Sequence, residues 1–92
     1  MVQDHDKGRK LKLARKARLH YDALRQEHLL LLPERVVKLN STGAAIIRLC
    51  DGRRSMAEIV RTLQSRYPDA NVEPDAHEFL CDLVKKRWLA EA

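Results

Sequence analysis

Asn40 divides this sequence into two regimes of hydrophobic periodicity, and that division limits the possible folds more than any single motif. Before Asn40 the side chains alternate. In Ala17–Asp22, Leu19 and Tyr21 fall on one side, with Arg18 and His20 on the other. This is the period-two pattern of a half-buried strand. Glu27–Leu32 carries four consecutive leucines closed by Pro33, too short a run for an independent helix. Arg35–Leu39 places Val37 and Leu39 on one face and Val36 and Lys38 on the other. Three short strands with tight connections predict a meander.

After Asn40 the period becomes 3.6. Asn40 or Ser41 can cap a first helix whose apolar positions include Ala45, Ile46, Leu49 and Cys50, with Gly52 as the permissive residue at its C-terminus. Ser55 and Glu58 have the spacing of a capping box, in which each side chain satisfies the other's backbone N–H. The helix that follows has Met56, Ile59, Val60, Leu63 and Tyr67 on one face and ends at Pro68. A third helix begins near Pro74, a good first-turn residue, with Glu73, Asp75 and Glu78 complementing the positive end of its dipole. Its apolar stripe is Ala76, Phe79, Leu80, Leu83 and Val84, and Lys85, Lys86 and Arg87 sit at its negative end. Strands followed by helices predict an α+β domain: a small three-stranded antiparallel β-meander followed by three helices, winged-helix-like.

The net charge of +5 is local. Residues 1–18 hold seven basic side chains and two acidic ones, whereas residues 19–92 hold 11 of each. The sequence therefore predicts a flexible basic N-terminal arm over residues 1–16 and a neutral domain over 17–92. No stretch approaches the ~18 apolar residues of a membrane span, and no apolar segment follows the N-terminal basic residues as in a secretory signal. A cytoplasmic protein without a membrane partner is expected.

The sequence predicts no catalysis and no bound cofactor. The glycines Gly8, Gly43 and Gly52 are isolated, and no nucleotide-binding loop or nucleophile elbow is present. The histidines, His5, His20, His28 and His77, are dispersed; His77 and Cys81 stand i, i+4 but make only two candidate ligands, too few for a structural zinc site. Cys50 and Cys81 read as small hydrophobes. A winged-helix DNA-binding protein is the natural alternative for this order of elements. Its usual reading helix, however, carries Glu73, Asp75, Glu78 and Asp82 against Lys85, Lys86 and Arg87. An acidic leading half is ill suited to a major groove, so no specific nucleic acid is expected.

The middle of the chain is more distinctive. Leu30-Leu31-Leu32-Pro33-Glu34-Arg35, Leu39-Asn40, Ala45-x-Ile47-x-x-x-Asp51-Gly52 and Ser55-x-x-Glu58-Ile59 follow one another in that order. Asp75-x-x-x-Phe79-Leu80-x-x-Leu83 and Trp88-Leu89 complete the pattern. It resembles the pyrroloquinoline quinone (PQQ) biosynthesis protein D (PqqD) family over about residues 17–89. Two positions depart from it: Ala76, where a β-branched residue is usual, and Arg87, where a glycine is usual.

The resemblance implies a peptide chaperone, or RiPP precursor-peptide recognition element. Such a domain binds the ribosomal precursor peptide PqqA and presents it to the radical SAM enzyme PqqE. That enzyme would own any iron–sulfur cluster and S-adenosylmethionine. The resemblance further implies that the peptide adds a strand beside Arg35, Val36, Val37, Lys38 and Leu39. It would pack on a helix wall formed by His77, Leu80, Cys81 and Val84, with charges such as Lys38 and Arg87 selecting it. Periodicity alone reads Leu80 and Val84 as core residues, and Pro33-Glu34 and Asp51-Gly52 as turn and cap devices. An exposed strand edge also allows either a monomer or a homodimer.

Overall fold

The computed structural model describes residues 9–92, which form six strands and three helices. In chain order these are β1 (Lys10–Leu13), β2 (Arg18–Asp22), β3 (Glu27–Leu31), β4 (Val36–Leu39), α1 (Ser41–Arg48), β5 (Asp51–Ser55), α2 (Met56–Arg66), α3 (Glu73–Lys85) and β6 (Leu89–Glu91). The expected meander is present as the antiparallel sheet β2-β3-β4. Its register pairs Leu19 with Leu30 and Leu30 with Val37, which puts these three on the inner face. Leu30 is fully buried there and anchors the sheet to the helices.

A second antiparallel sheet, β5-β1-β6, was not expected. It corrects the reading of residues 1–16 as a flexible arm. Lys10–Leu13 is a strand between two others, with Leu11 in the core; residues 1–8 lie outside the described residues. Its Lys-Leu-Lys-Leu sequence is an amphipathic strand whose charges face outward. The boundary of the folded domain therefore lies at or before Lys10.

Gly52 requires a second correction. Helix α1 is capped at its start by Asn40, whose Oδ1 accepts from the Gly43 N–H at 2.7 Å. It ends at Arg48, with Leu49 and Cys50 donating to the Ile46 and Ile47 carbonyls in tighter turns. Gly52 instead lies inside β5 with φ +84°, where the β1–β5 register shifts. A side chain there would be strained, and its Cβ would lie 3.6 Å from that of Ala92. Glycine permits the bulge.

Helices α2 and α3 follow the sequence closely. The capping box forms as expected: Glu58 N–H donates to Ser55 Oγ at 3.3 Å, and Ser55 N–H donates to Glu58 Oε1 at 2.8 Å. Met56, Ile59 and Leu63 of α2 meet Ala76, Leu80 and Leu83 of α3 in the core, together with Ile46 and Ile47 of α1. Val60 packs at the edge of this cluster, whereas Tyr67 is exposed. Helix α3 ends in a Schellman motif. Trp88 N–H donates to the Leu83 carbonyl and Arg87 N–H to the Val84 carbonyl, each at 3.0 Å. The motif needs a left-handed residue, and Arg87 occupies that position at φ +64°.

Candidate peptide-binding groove

Among the described residues strand β4 pairs only with β3, so one side of its backbone has no strand partner there. The hairpin fixes which groups face that side. Leu32 N–H donates to the Arg35 carbonyl at 2.9 Å, which makes Leu32 and Arg35 a hydrogen-bonded pair. Antiparallel pairs alternate between bonded and non-bonded, so Leu30–Val37 and His28–Leu39 are bonded, while Leu31–Val36 and Leu29–Lys38 are not. The N–H and C=O groups of Val36 and Lys38 therefore point away from β3. They are the free template of this edge. The side chains of Val37 and Leu39 turn toward the core, whereas Val36 is 60% exposed and Lys38 Nζ reaches Glu27 Oε2 at 3.0 Å.

The two ends of helix α3 lie near the two ends of this strand. At one end a cleft of about 410 Å³ lies between Asn40, Thr42 and Gly43 at the start of α1 and Asp75, Ala76 and Phe79 of α3. A Cβ built on Gly43 would lie 3.5 Å from Phe79 Cζ and 3.9 Å from Leu39 Cβ. Glycine here lets the Phe79 ring approach the end of β4. Ala76, almost fully buried, lines the floor of this cleft. At the other end, Lys86, Arg87 and Trp88 share a cleft of about 330 Å³ with the Leu32-Pro33-Glu34 turn that leads into β4. The residues flanking β4 on either side thus reach α3 through these two clefts.

This placement determines which side of α3 faces the strand. Successive helical residues are about 100° apart, so Asp75, Phe79, Asp82 and Lys86 form one stripe. Contacts at Asp75 and Phe79 at one end and at Lys86 at the other place that stripe on the β4 side. Of the nine residues expected from the sequence, Arg35, Val36, Val37, Lys38 and Leu39 lie along the turn and edge. The helix residues divide: Cys81 lines a surface cleft of about 460 Å³ with Asp75, Phe79 and Asp82, and the others do not. Leu80 is 0% exposed and belongs to the core, as its periodicity indicates. His77 and Cys81 lie about 160° around the helix from Phe79 by the same geometry. Their side chains meet each other instead, with Cys81 Sγ 3.7 Å from His77 Nδ1. Val84 is 39% exposed, away from the strand rather than in the core.

Sequence reasoning missed Asn40, Thr42, Gly43 and Asp75 as groove residues and assigned Phe79 only to the core stripe. The available signal was Phe79 at the margin of that stripe, beside the acidic Asp75 and Asp82. The two clefts differ in charge. Asp75 is the one charged residue lining the first, whereas Arg15, Lys16, Lys86 and Arg87 line the second with Glu34, and Lys86 is paired with Asp82. Among the described residues no three His, Cys, Asp or Glu side chains converge on a common point, and no helix is long and apolar enough to cross a membrane.

Comparison with known proteins places these features in context. The family described as "Coenzyme PQQ synthesis protein D (PqqD)" matches residues 27–89. A curated relative from Kluyvera intermedia, named "PqqA binding protein", is 41% identical over 73 residues, covering 78% of this chain and 79% of its own. Another of the same name, from Methylococcus capsulatus, is 35% identical over 81 residues, covering 88% and 87%. Among solved structures, the PqqD truncation of Methylobacterium extorquens PqqCD superimposes with a TM-score of 0.68 at 36% identity, over 87% of each chain. That solution structure is described as a functional, stand-alone RiPP recognition element.

Proposed function

Because the chain belongs to the PqqD family, we propose that it binds the precursor peptide PqqA and presents it to the radical SAM enzyme PqqE during PQQ synthesis. The observation that carries the first part is the edge of β4, without a strand partner among the described residues, with a cleft reaching α3 near each of its ends. An extended peptide would add there as a fourth strand of the β2-β3-β4 sheet. Its backbone would take the N–H and C=O groups of Val36 and Lys38, and its side chains would meet Phe79 on one flank. Backbone pairing supplies affinity with little selectivity, and the two clefts supply places for particular side chains.

The outer wall of the site is then drawn on Asp75, Phe79, Asp82 and Lys86, with Leu80 behind it in the core. The relatives named for PqqA binding and the recognition-element structure support the choice of peptide. The family's description as a PQQ synthesis protein supports placing presentation to PqqE here: a peptide held along one edge would keep its opposite edge and outer face available to an enzyme.

Titrating unlabelled PqqA into the isotopically labelled chain tests the binding site. Amide signals of residues 36–39, 42–43 and 75–86 should shift together and saturate. Shifts limited to His77, Cys81 and Val84, or none at micromolar peptide, would refute the assignment. Presentation is tested separately, by following cross-linking of PqqA by PqqE with and without the chain; an unchanged rate and yield would remove that role.

A further inference from the structure

Arg87 occupies a backbone position that disfavours every residue with a Cβ. Its φ of +64° is the left-handed conformation, and the Schellman motif that closes α3 holds it there. Glycine adopts this conformation without steric cost, whereas an arginine does so at the expense of stability. A side chain retained against such a penalty points to a use for that side chain. Arg87 lines the cleft at the start of β4 together with Arg15, Lys16 and Lys86.

The cleft is organised to present positive charge. Arg15 and Lys16 form the tip of the β1–β2 turn, closed by Ala17 N–H donating to the Ala14 carbonyl at 2.9 Å. Lys86 is drawn between Asp82 Oδ2, at 3.0 Å, and the Trp88 ring, 4.9 Å from its centroid. Among the described residues, Arg15, Lys16 and Arg87 have no ion-pair partner within 4.0 Å. Four cations, three of them without an ion-pair partner among the described residues, thus line a small cleft together with the carboxylate of Glu34. The cleft continues the groove in which the peptide is placed above.

We propose that Arg87, with Arg15 and Lys16, is a specificity-determining residue that takes carboxylate side chains from the segment of the bound peptide lying beside the start of β4. This rests on the peptide-binding reading and adds a direction to it. The acidic segment lies at the Arg87 end, and the opposite segment runs past Phe79 to the acidic end at Asp75. Guanidinium groups suit this task because they pair with carboxylates through two parallel hydrogen bonds. Charge complementarity also sets encounter rate and discriminates against neutral or basic peptides.

The test uses the full chain, a PqqA peptide, and the same peptide with every Asp and Glu replaced by Asn and Gln. In Arg87→Gly, relief of the left-handed strain should raise the melting temperature while peptide affinity falls on the order of ten-fold, the loss expected for one charged hydrogen-bonded contact. A residue serving only the fold would not give that opposition. The neutral peptide should bind wild type no more tightly than the acidic peptide binds the variant, and the variant should discriminate less between the two than wild type does. The double variant Arg15→Glu/Lys16→Glu should weaken binding of the acidic peptide further, with less effect on the neutral one.

If wild type and Arg87→Gly bind PqqA equally, or the neutral peptide binds wild type as tightly as the acidic one, the inference is overturned and peptide binding stands. In that case, binding of an acidic surface of PqqE that is lost in Arg87→Gly would assign the cleft to the enzyme instead. If wild type binds no PqqA at all, the functional reading itself fails.

Discussion

Ser55 shows how much one residue can carry here. It is buried, ends β5, opens α2 and exchanges both hydrogen bonds of the capping box with Glu58. Ser55→Ala should lower stability by about 1–2 kcal/mol, measured by urea unfolding, since both a cap and a buried hydroxyl are lost. Glu58 adds a pH dependence. The Ser55 N–H and then the nearby Lys10 hold its carboxyl below the usual range. A depressed folded-state value stabilises the protein above the unfolded carboxylate pKa, and that contribution disappears as pH falls through the folded one. Stability should therefore drop below about pH 4.5, and less steeply in Glu58→Gln. The capping box was legible in the sequence because all its partners lie within four residues. Gly52 was not, because what requires its positive φ is a bulge against β1, some forty positions away. The two cysteines also separate at this scale. Burial, with help from the Asp51 charge, pushes the Cys50 thiol up to about 12, so it is an inert core group at neutral pH. Cys81 is only half-buried. A thiol reagent at pH 8 should modify Cys81 promptly and reach Cys50 only after denaturant is added; comparable rates for the two would contradict the packing around Cys50.

At the scale of elements, the sequence showed strands β2 to β4 and all three helices, because each has its own periodicity and punctuation. It did not show which flank of α3 meets the strand. The stripe Ala76, Phe79, Leu80, Leu83 and Val84 has two margins, one at Phe79 and one at Val84, and nothing in its periodicity distinguishes them. Approach to Gly43, itself next to Leu39, makes the distinction at Phe79, and that depends on where α1 lies relative to β4. The backbone parity of β4 gives a sharp test of strand addition. Lys38→Pro removes an N–H that points to the free edge and leaves the ladder to β3 intact, a position edge strands tolerate. PqqA affinity should fall several-fold with little change in unfolding midpoint. Val37→Pro removes a ladder bond instead and should cost about 3 kcal/mol or more. Lys38→Ala controls for the Glu27 ion pair, an exposed contact worth at most about 1 kcal/mol. If Lys38→Pro binds PqqA as wild type does, the peptide does not pair along β4.

Over the whole molecule, the decisive feature is the sheet that joins sequence-distant segments. Strand β1 lies between β5 and β6, pairing Lys10 with Ser55 and Leu13 with Leu89. Neither outer strand would declare itself alone: Asp51–Ser55 is polar, and Leu89–Glu91 has three residues. They become strands because β1 satisfies their backbone groups, an interaction no local pattern can announce. The alternation Lys10-Leu11-Lys12-Leu13 was visible, but the density of basic residues around it gave the appearance of a charged tail. This changes what an N-terminal truncation would measure. Removing residues 1–16 takes away the partner of both β5 and β6, and leaves the core around Leu49, Met56 and Leu89 without Leu11. The shortened chain should lose cooperative thermal unfolding or aggregate, and any loss of PqqA binding would follow from that. Leu11→Ala isolates the packing component. It should destabilise by about 2–5 kcal/mol, as buried leucine truncations do, yet leave the PqqA affinity of the folded fraction unchanged, because Leu11 is buried beneath the second sheet and not in the groove. Circular dichroism melts beside peptide titration at low temperature would resolve the two effects. A truncation that melted like the intact chain would show that β1 is dispensable and that the domain begins near Ala17, where the sequence alone had placed it.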